Sequence, residues 1–408
     1  MLADLLARFR SLRHNWQRLR RARQLSAVDA AALARQVPPD AGRVLVVRND
    51  SIGDYLLFRP WLRQLSHMVR GRGQRLTLAA NAAWAPLAQA WDADLWDELL
   101  VVDFGRFMRD MAYRTATLKI IGAGGYGEVV YPLHVRESAV ENFIQFLRAP
   151  VRVGSLGEYH HERDGWFRLL NAGYTHLLPA TRQTLFEYDR NGEFFRNWQA
   201  LGELRIKNDE LRIAAADAPP LRLPLAEAIV AAAQVQESLP YLVLFPGASA
   251  RPKRWPTSHF AQLAQALHQR YAGRYRLVVA GSPDDNEFAR EIQHAAGPTV
   301  PLDNRCGQTD LPGLAALVAG AALLISNDTV AAHLAAQAGT PCLVLLMGEN
   351  YGKFFPYPPH LLQAPCRCLC PPSQEVRFAR NDFSLPYHEP DISTISVERA
   401  LAAVVELL

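Results

Sequence analysis

The 408 residues predict an α/β protein of two doubly wound domains, preceded by a basic amphipathic helix. Three observations carry that expectation. The chain is too long for one ordinary domain and suits two, each able to bury its own core. Short aliphatic runs alternate with helical periodicity in two successive series, the pattern of parallel sheets covered by helices. Prolines at Pro219, Pro220, Pro224 and Pro240 separate the two series.

Bulk properties narrow the class. A hydrophobic content of 49% and a charged content of 21% are globular values. The net charge of +4 is small for this size and argues against nucleic acid as a partner. No run approaches 20 apolar residues, so no bilayer span is expected. Five cysteines without an apolar leader do not make a disulfide framework, and a reducing cytoplasm is the expected location.

Residues 1–40 form the extension. Leu2, Leu5, Leu6, Phe9, Leu12, Trp16 and Leu19 recur at three- and four-residue spacing and make one apolar stripe. Arg8, Arg10, Arg13, Arg18, Arg20, Arg21 and Arg23 fill much of the remainder, against Asp4 as the only acid in the first 25 residues. Two readings stand: residues 1–25 lie on an anionic membrane surface, or the helix packs on the body with its arginines solvated.

The first domain is expected over 41–222. Val44–Val47 reads as a buried strand, Asn49–Asp54 as a turn, and Leu56, Leu57, Trp61, Leu62 and Leu65 as a helix face. Further strands are expected at Leu76–Leu78, Leu99–Val102 and Glu128–Tyr131. The second domain is expected over 223–390. Its strands are Tyr241–Phe245, Arg276–Ala280, Ala322–Ser326 and Cys342–Leu346, with helices between them, and residues 391–408 close the chain as a helix capped by Ser396.

Doubly wound sheets bind ligands outside the carboxyl ends of their strands, which singles out four loops. In Asn49–Asp54, Gly53 permits a tight turn and Asp54 stands at a helix start, as a cap or as a general base. In Phe245–Pro256, Ser249, Arg251, Lys253 and Arg254 follow a strand beside small residues, a pattern for neutralising a phosphate. In Ser326–His333, Asp328 and Thr329 open a helix whose N–H groups and dipole favour an anion, and His333 follows one turn later. Gly348-Glu349-Asn350 precedes the aromatic residues Tyr351, Phe354, Phe355 and Tyr357, which either close over a base or sugar or pack as core.

Two motifs are decoys. Gly122-Ala123-Gly124-Gly125-Tyr126-Gly127 fits the dinucleotide pattern, but a strand follows it where that fingerprint needs a helix. Cys366-Arg367-Cys368-Leu369-Cys370 lacks the spacing and the partner pair of a zinc site and reads as free thiols in a loop, so no metal is expected.

Together these loops resemble glycosyltransferase family 9, the lipopolysaccharide heptosyltransferase family. Val44–Asp54 is similar to its opening strand and S-x-G-D turn, Lys253-Arg254-Trp255-Pro256 with His259-Phe260 to its K-R-W-P-x-x-H-F segment, Ala280–Asp285 to its next strand end, and Ser326–Thr329 with His333–Ala336 to its donor loop. Val330-Ala331 departs from the glycine that commonly follows Asp-Thr there.

The resemblance implies a GT-B fold, with two Rossmann-like domains facing a cleft and the last helix crossing back to the first domain. It implies an inverting, metal-independent transfer of a sugar, heptose by family default, from a nucleotide-diphosphate sugar such as ADP-heptose to a glycan or glycolipid acceptor. No cofactor is implied, and the enzyme would be cytoplasmic or peripheral on the inner membrane face. By position, Asp54 would be the catalytic base. Ser249, Lys253, Arg254, Asp328, Thr329 and His333 would hold the donor diphosphate, while Gly281, Ser282, Gly348 and Glu349 would line the nucleotide or sugar. Two rivals are a non-catalytic nucleotide-sugar-binding or scaffold protein at the membrane, and a nucleotide-sugar epimerase.

Overall fold

The computed structural model describes residues 19–157, 165–203, 218–225, 239–380, 382 and 390–408. The described chain divides into two units. The first holds the residues up to Ser51, Trp61–Gln183 and Tyr188–Pro219, and the second holds Ile52–Pro60, Thr184–Glu187 and Pro220–Leu408. Asp54 therefore groups with the second sheet, although it follows the first strand in sequence.

The first unit is built on six parallel strands: β1 (Asp40–Arg48), β2 (Arg75–Asn81), β3 (Glu98–Val102), β4 (Tyr126–Tyr131), β5 (Val151–Ser155) and β6 (His176–Leu178). They lie in the order β3-β2-β1-β4-β5-β6. Val44–Val47 is fully buried because β1 sits mid-sheet with layers on both faces, which is why the run is continuously apolar. The glycine-rich decoy ends a helix and enters β4, as its sequence implied. A Cβ on Gly127 would come within 2.5 Å of the Asp40 carbonyl, so this glycine serves close strand packing.

Residues 19–32 form a helix, and its buried face packs on this unit. Ala22 and Leu25 join Ala139, Trp166 and Leu170 in one cluster. Asp29 is fully buried and forms a bidentate pair with Arg114, Oδ1 to Nε at 2.5 Å and Oδ2 to Nη2 at 2.6 Å. Asn142 Nδ2 also donates to Asp29 Oδ2 at 2.7 Å. Arg20, Arg21 and Arg23 stay exposed. Most of the arginine-rich stripe, residues 1–18, lies outside the described residues, as does the Ala-rich stretch at 226–238.

The second unit repeats the plan with β7 (Tyr241–Phe245), β8 (Arg276–Val279), β9 (Leu302–Asn304), β10 (Leu323–Asn327), β11 (Cys342–Leu345) and β12 (Cys366–Leu369). All pairings are parallel, in the order β12-β11-β10-β7-β8-β9. Read from β9, this is the first sheet's 3-2-1-4-5-6 order. Leu242, Leu244, Leu263, Ile325 and Leu343 lie in its core. The closing helix Val397–Leu407, capped by Ser396, contributes Ala400, Ala403 and Val404 to this second core, whereas the resemblance carries it back to the first domain. The Cys-rich motif is corrected from loop to edge strand: β12 pairs Cys366 with Cys342 and Cys368 with Val344. Its thiols are free, as expected.

Asp29→Ala should leave the Arg114 charge buried without its partner, which costs about 3–5 kcal/mol. The urea midpoint of the first unit should fall accordingly with little change in slope. A loss below about 1 kcal/mol would contradict the packing of residues 19–32 on the body.

Candidate functional site

In a sheet of this order the strand sequence reverses between the first and fourth strands, and ligands bind outside their carboxyl ends. In the second unit those strands are β7 and β10. The loop after β7 delivers Lys253, and the turn after β10 delivers Asp328 and Thr329.

One buried amide joins the two loops. Asn327 Oδ1 accepts from the Trp255 N–H at 3.1 Å, and Asn327 Nδ2 donates to the Pro246 carbonyl at 2.7 Å. Trp255 is itself anchored, its Nε1 donating to the Ile395 carbonyl at 2.8 Å. The result brings Lys253 Nζ to 3.8 Å from Asp328 Oδ2, with both side chains only partly exposed. Burial raises the Asp328 carboxyl above its ordinary value and the Lys253 ammonium pulls it back. The charges of Asp54 and Glu349 push it up again, so the four groups share one electrostatic environment.

Thr329 is the N-cap of helix Val330–Ala338, but its side chain makes no capping bond and instead meets Ser326 Oγ at 3.0 Å. The first N–H groups of that helix are thus not satisfied by a capping side chain. His333, one turn on, is buried, with its Nδ1 2.9 Å from Tyr357 Oη and its ring 4.7 Å from that of Phe355. Desolvation, with a smaller push from Lys253, drives its pKa down to about 3, so the imidazole is neutral at physiological pH. The aromatic run after Gly348 is thereby resolved in part: Phe355 and Tyr357 are core.

Several of the remaining expected residues have visible local duties. Arg254 Nε donates to the Ala248 carbonyl at 2.8 Å, and its guanidinium lies 5.0 Å from the Phe288 ring centroid. Ser282 and Asp285 cap each other, with Asp285 Oδ2 accepting from Ser282 N and Oγ. Added Cβ atoms at Gly247 and Gly281 would sit within 2.5–2.8 Å of the Asp285 side chain, so both loops must carry glycine where they meet it. Ser249 is exposed. Gly348 has φ +100 beside Phe378, and Glu349 is exposed.

Sequence reasoning missed Asn327, Asp285, Gln337 and Tyr357 as supports. Asn327 lies inside the Ser326–His333 loop that the sequence singles out, and its place at the last position of a buried strand was the available signal. Among the described residues no group of three or more His, Cys, Asp or Glu is placed to hold a metal ion. No helix among them is long and apolar enough to cross a membrane.

Comparison with known proteins shows which family the loops of the second unit are similar to. The model for glycosyltransferase family 9 (heptosyltransferase) matches residues 167–367. The chain is 26% identical to lipopolysaccharide heptosyltransferase 3 of Escherichia coli over 221 residues, 54% of this chain and 59% of that protein. It is 32% identical to lipopolysaccharide heptosyltransferase 2 of Salmonella typhimurium over 172 residues, 41% and 47% of the two chains. It thus spans about half the length of the curated relatives it matches. Among solved structures, a glycosyl transferase family 9 protein from Veillonella parvula superposes with a TM-score of 0.60 at 20% identity, covering 91% of this chain and 98% of that one. E. coli ADP-heptose heptosyltransferase II superposes with a TM-score of 0.57 at 20% identity, covering 90% and 98%. These likenesses establish the fold class.

The depressed His333 pKa makes a stability prediction. The unfolded chain takes up the proton near pH 6.5 and the folded one only near 3. Stability owed to the neutral ring is therefore complete above pH 6.5 and is lost as pH falls from there toward about 3. The loss should approach about 1.4 kcal/mol per pH unit within that window. In denaturant titrations at several pH values, His333→Gln should flatten this part of the profile; an unchanged slope would contradict a buried neutral His333.

Proposed function

We propose, from the premise that residues 167–367 belong to glycosyltransferase family 9, that this protein transfers a heptose from ADP-heptose to a hydroxyl of a lipopolysaccharide acceptor, with inversion and without a metal. The observation that carries the reading is the pairing of Lys253 with Asp328 at the carboxyl ends of β7 and β10, beside the Thr329 helix end and within reach of the Asp54 charge.

The reaction needs three things from the chain. A base must take the acceptor hydroxyl's proton as that oxygen attacks the anomeric carbon, and Asp54 is assigned that role. It sits in the first turn of helix Ile52–Gly71. The bond from that carbon to the diphosphate oxygen breaks as the new one forms on the opposite face, and the leaving ADP gathers negative charge. Lys253 and the N–H groups after Thr329 oppose that charge, which favours the transition state over the ground state. Ser249, Arg254 and His333 flank the diphosphate in this reading, and Gly281, Ser282, Gly348 and Glu349 line the nucleotide or sugar. Asp328 orients Lys253 and tempers its charge.

The acceptor belongs to the first unit in this reading, and the arginine-rich start of the chain holds the enzyme against an anionic leaflet at the cytoplasmic face. Leu25 and Asp29 are buried in the first unit, so a clean test removes residues 1–18 alone. Cosedimentation with vesicles containing anionic lipid should be salt-sensitive and should weaken with that deletion. Undiminished, salt-insensitive binding would exclude this role.

Asp54→Asn should lower the transfer rate by about 10²–10⁴-fold, the usual worth of general-base help, while ADP binding is retained. Lys253→Ala should instead weaken ADP binding as well as transfer. Transfer assayed by ADP release decides the matter. Wild-type rates in Asp54→Asn would refute the base assignment, and donor turnover that needs no acceptor would point to an epimerase.

A further inference from the structure

Pro60 interrupts the helix that carries Asp54. Proline has no N–H, so the Leu56 carbonyl four residues earlier loses its helical donor. Gln337 replaces that donor from the helix Val330–Ala338, its Nε2 lying 3.2 Å from the Leu56 oxygen. A carbonyl can only accept, so this contact fixes which way round the Gln337 amide sits. The same Nε2 lies 3.3 Å from Tyr357 Oη. With the amide donating to the phenol oxygen, the Tyr357 hydrogen is left for His333 Nδ1, 2.9 Å away. An Nδ1 that accepts leaves the ring's hydrogen on Nε2. That nitrogen faces Gly53: a Cβ built there would stand 3.0 Å from His333 Nε2 and 2.9 Å from its Cδ2.

We infer that Gln337 and Tyr357 are positioning residues that hold His333 in its Nε2–H tautomer, aiming a hydrogen-bond donor into the Gly53–Asp54 turn for an oxygen of the bound nucleotide sugar. The inference rests on the transferase reading for the identity of the ligand, and on the hydrogen-bond geometry of Gln337, Tyr357 and His333 for the relay.

Four further observations agree. His333 stays neutral, as a ring with a single N–H must, since burial drives its pKa to about 3. Burial also raises the Tyr357 hydroxyl well above its ordinary value, so the relay proton stays on oxygen. Gln337 Oε1 is buried with no hydrogen-bond partner among the described residues. A buried amide kept for packing alone gains nothing from an unsatisfied acceptor, whereas one kept for its two donor hydrogens tolerates it. Gln337 follows His333 by four residues, so the two side chains share one helix face.

Tyr357→Phe is the discriminating variant, because the ring keeps its packing on Phe355 and Phe186 while the hydroxyl is lost. Nitrogen-15 NMR of histidine-labelled protein, with His333→Gln to assign the signal, reads the tautomer directly. The wild type should show Nε2–H and the variant a mixture of tautomers. Its kcat should fall about tenfold, the worth of one hydrogen bond, with the donor KM within about twofold. Gln337→Leu should move the tautomer ratio in the same direction.

Nδ1–H in the wild type overturns the inference, as does a tautomer ratio unchanged in Tyr357→Phe. A lower melting temperature with unchanged kcat per folded molecule also overturns it, since that marks a structural role alone. Should the tautomers behave as inferred while the wild-type protein consumes no nucleotide sugar, the relay stands and the transferase reading falls.

Discussion

The arrangement of the second unit's strand ends depends on the buried side-chain amide of Asn327. Strands β7 and β10 are adjacent, but adjacency alone leaves their outgoing loops free to diverge. Asn327 accepts from Trp255 and donates to Pro246, so the backbone after β7 is tied to the end of β10 by a group with no water to compete for it. Removing such an amide would strand a buried N–H and a buried carbonyl, each costing about 1–3 kcal/mol. The separation of Lys253 and Asp328 follows from this tie. So does the position of the Thr329 helix end relative to the basic loop.

A second constraint acts on the helix that carries Asp54. Asp54 enters by way of a helix whose first half groups with the second sheet and whose second half groups with the first. The change falls at Pro60, where the hydrogen-bond ladder is already broken. The turn before Asp54 is fastened within the first unit: Asn81 Nδ2 donates to the Asn49 and Asp50 carbonyls, Trp84 Nε1 donates to Asp50, and Tyr131 Oη donates to Asn49 Oδ1.

Much of this was legible in the sequence because strand ends in doubly wound sheets are marked twice, by a buried aliphatic run and by the polar loop that follows it. Tyr241–Phe245 and Cys342–Leu345 were readable as strands on that basis, as was the role of Gly122–Gly127 as a strand entry. Several features were not readable. Asp285 looks like a surface acid beside Asp284, yet it caps Ser282 and forces glycine at two other loops, a duty visible only once three chain segments meet. Tyr357 could not be divided between core and ligand contact from spacing, since both call for an aromatic residue. The Cys-rich motif looked like a loop because β12 is a short edge strand with charge at Arg367, a weak period-two signal. The resemblance placed the closing helix on the first domain; its apolar face meets the second core.

The central claim is that a nucleoside diphosphate is held between the Lys253 loop and the Thr329 helix end. The most direct measurement is a crystal structure of the protein soaked with ADP. The account predicts diphosphate density within hydrogen-bond distance of Lys253 Nζ and of the main-chain N–H groups that follow Thr329. Diphosphate density at the Gly122–Gly127 segment, or anywhere clear of both Lys253 and Thr329, would contradict it.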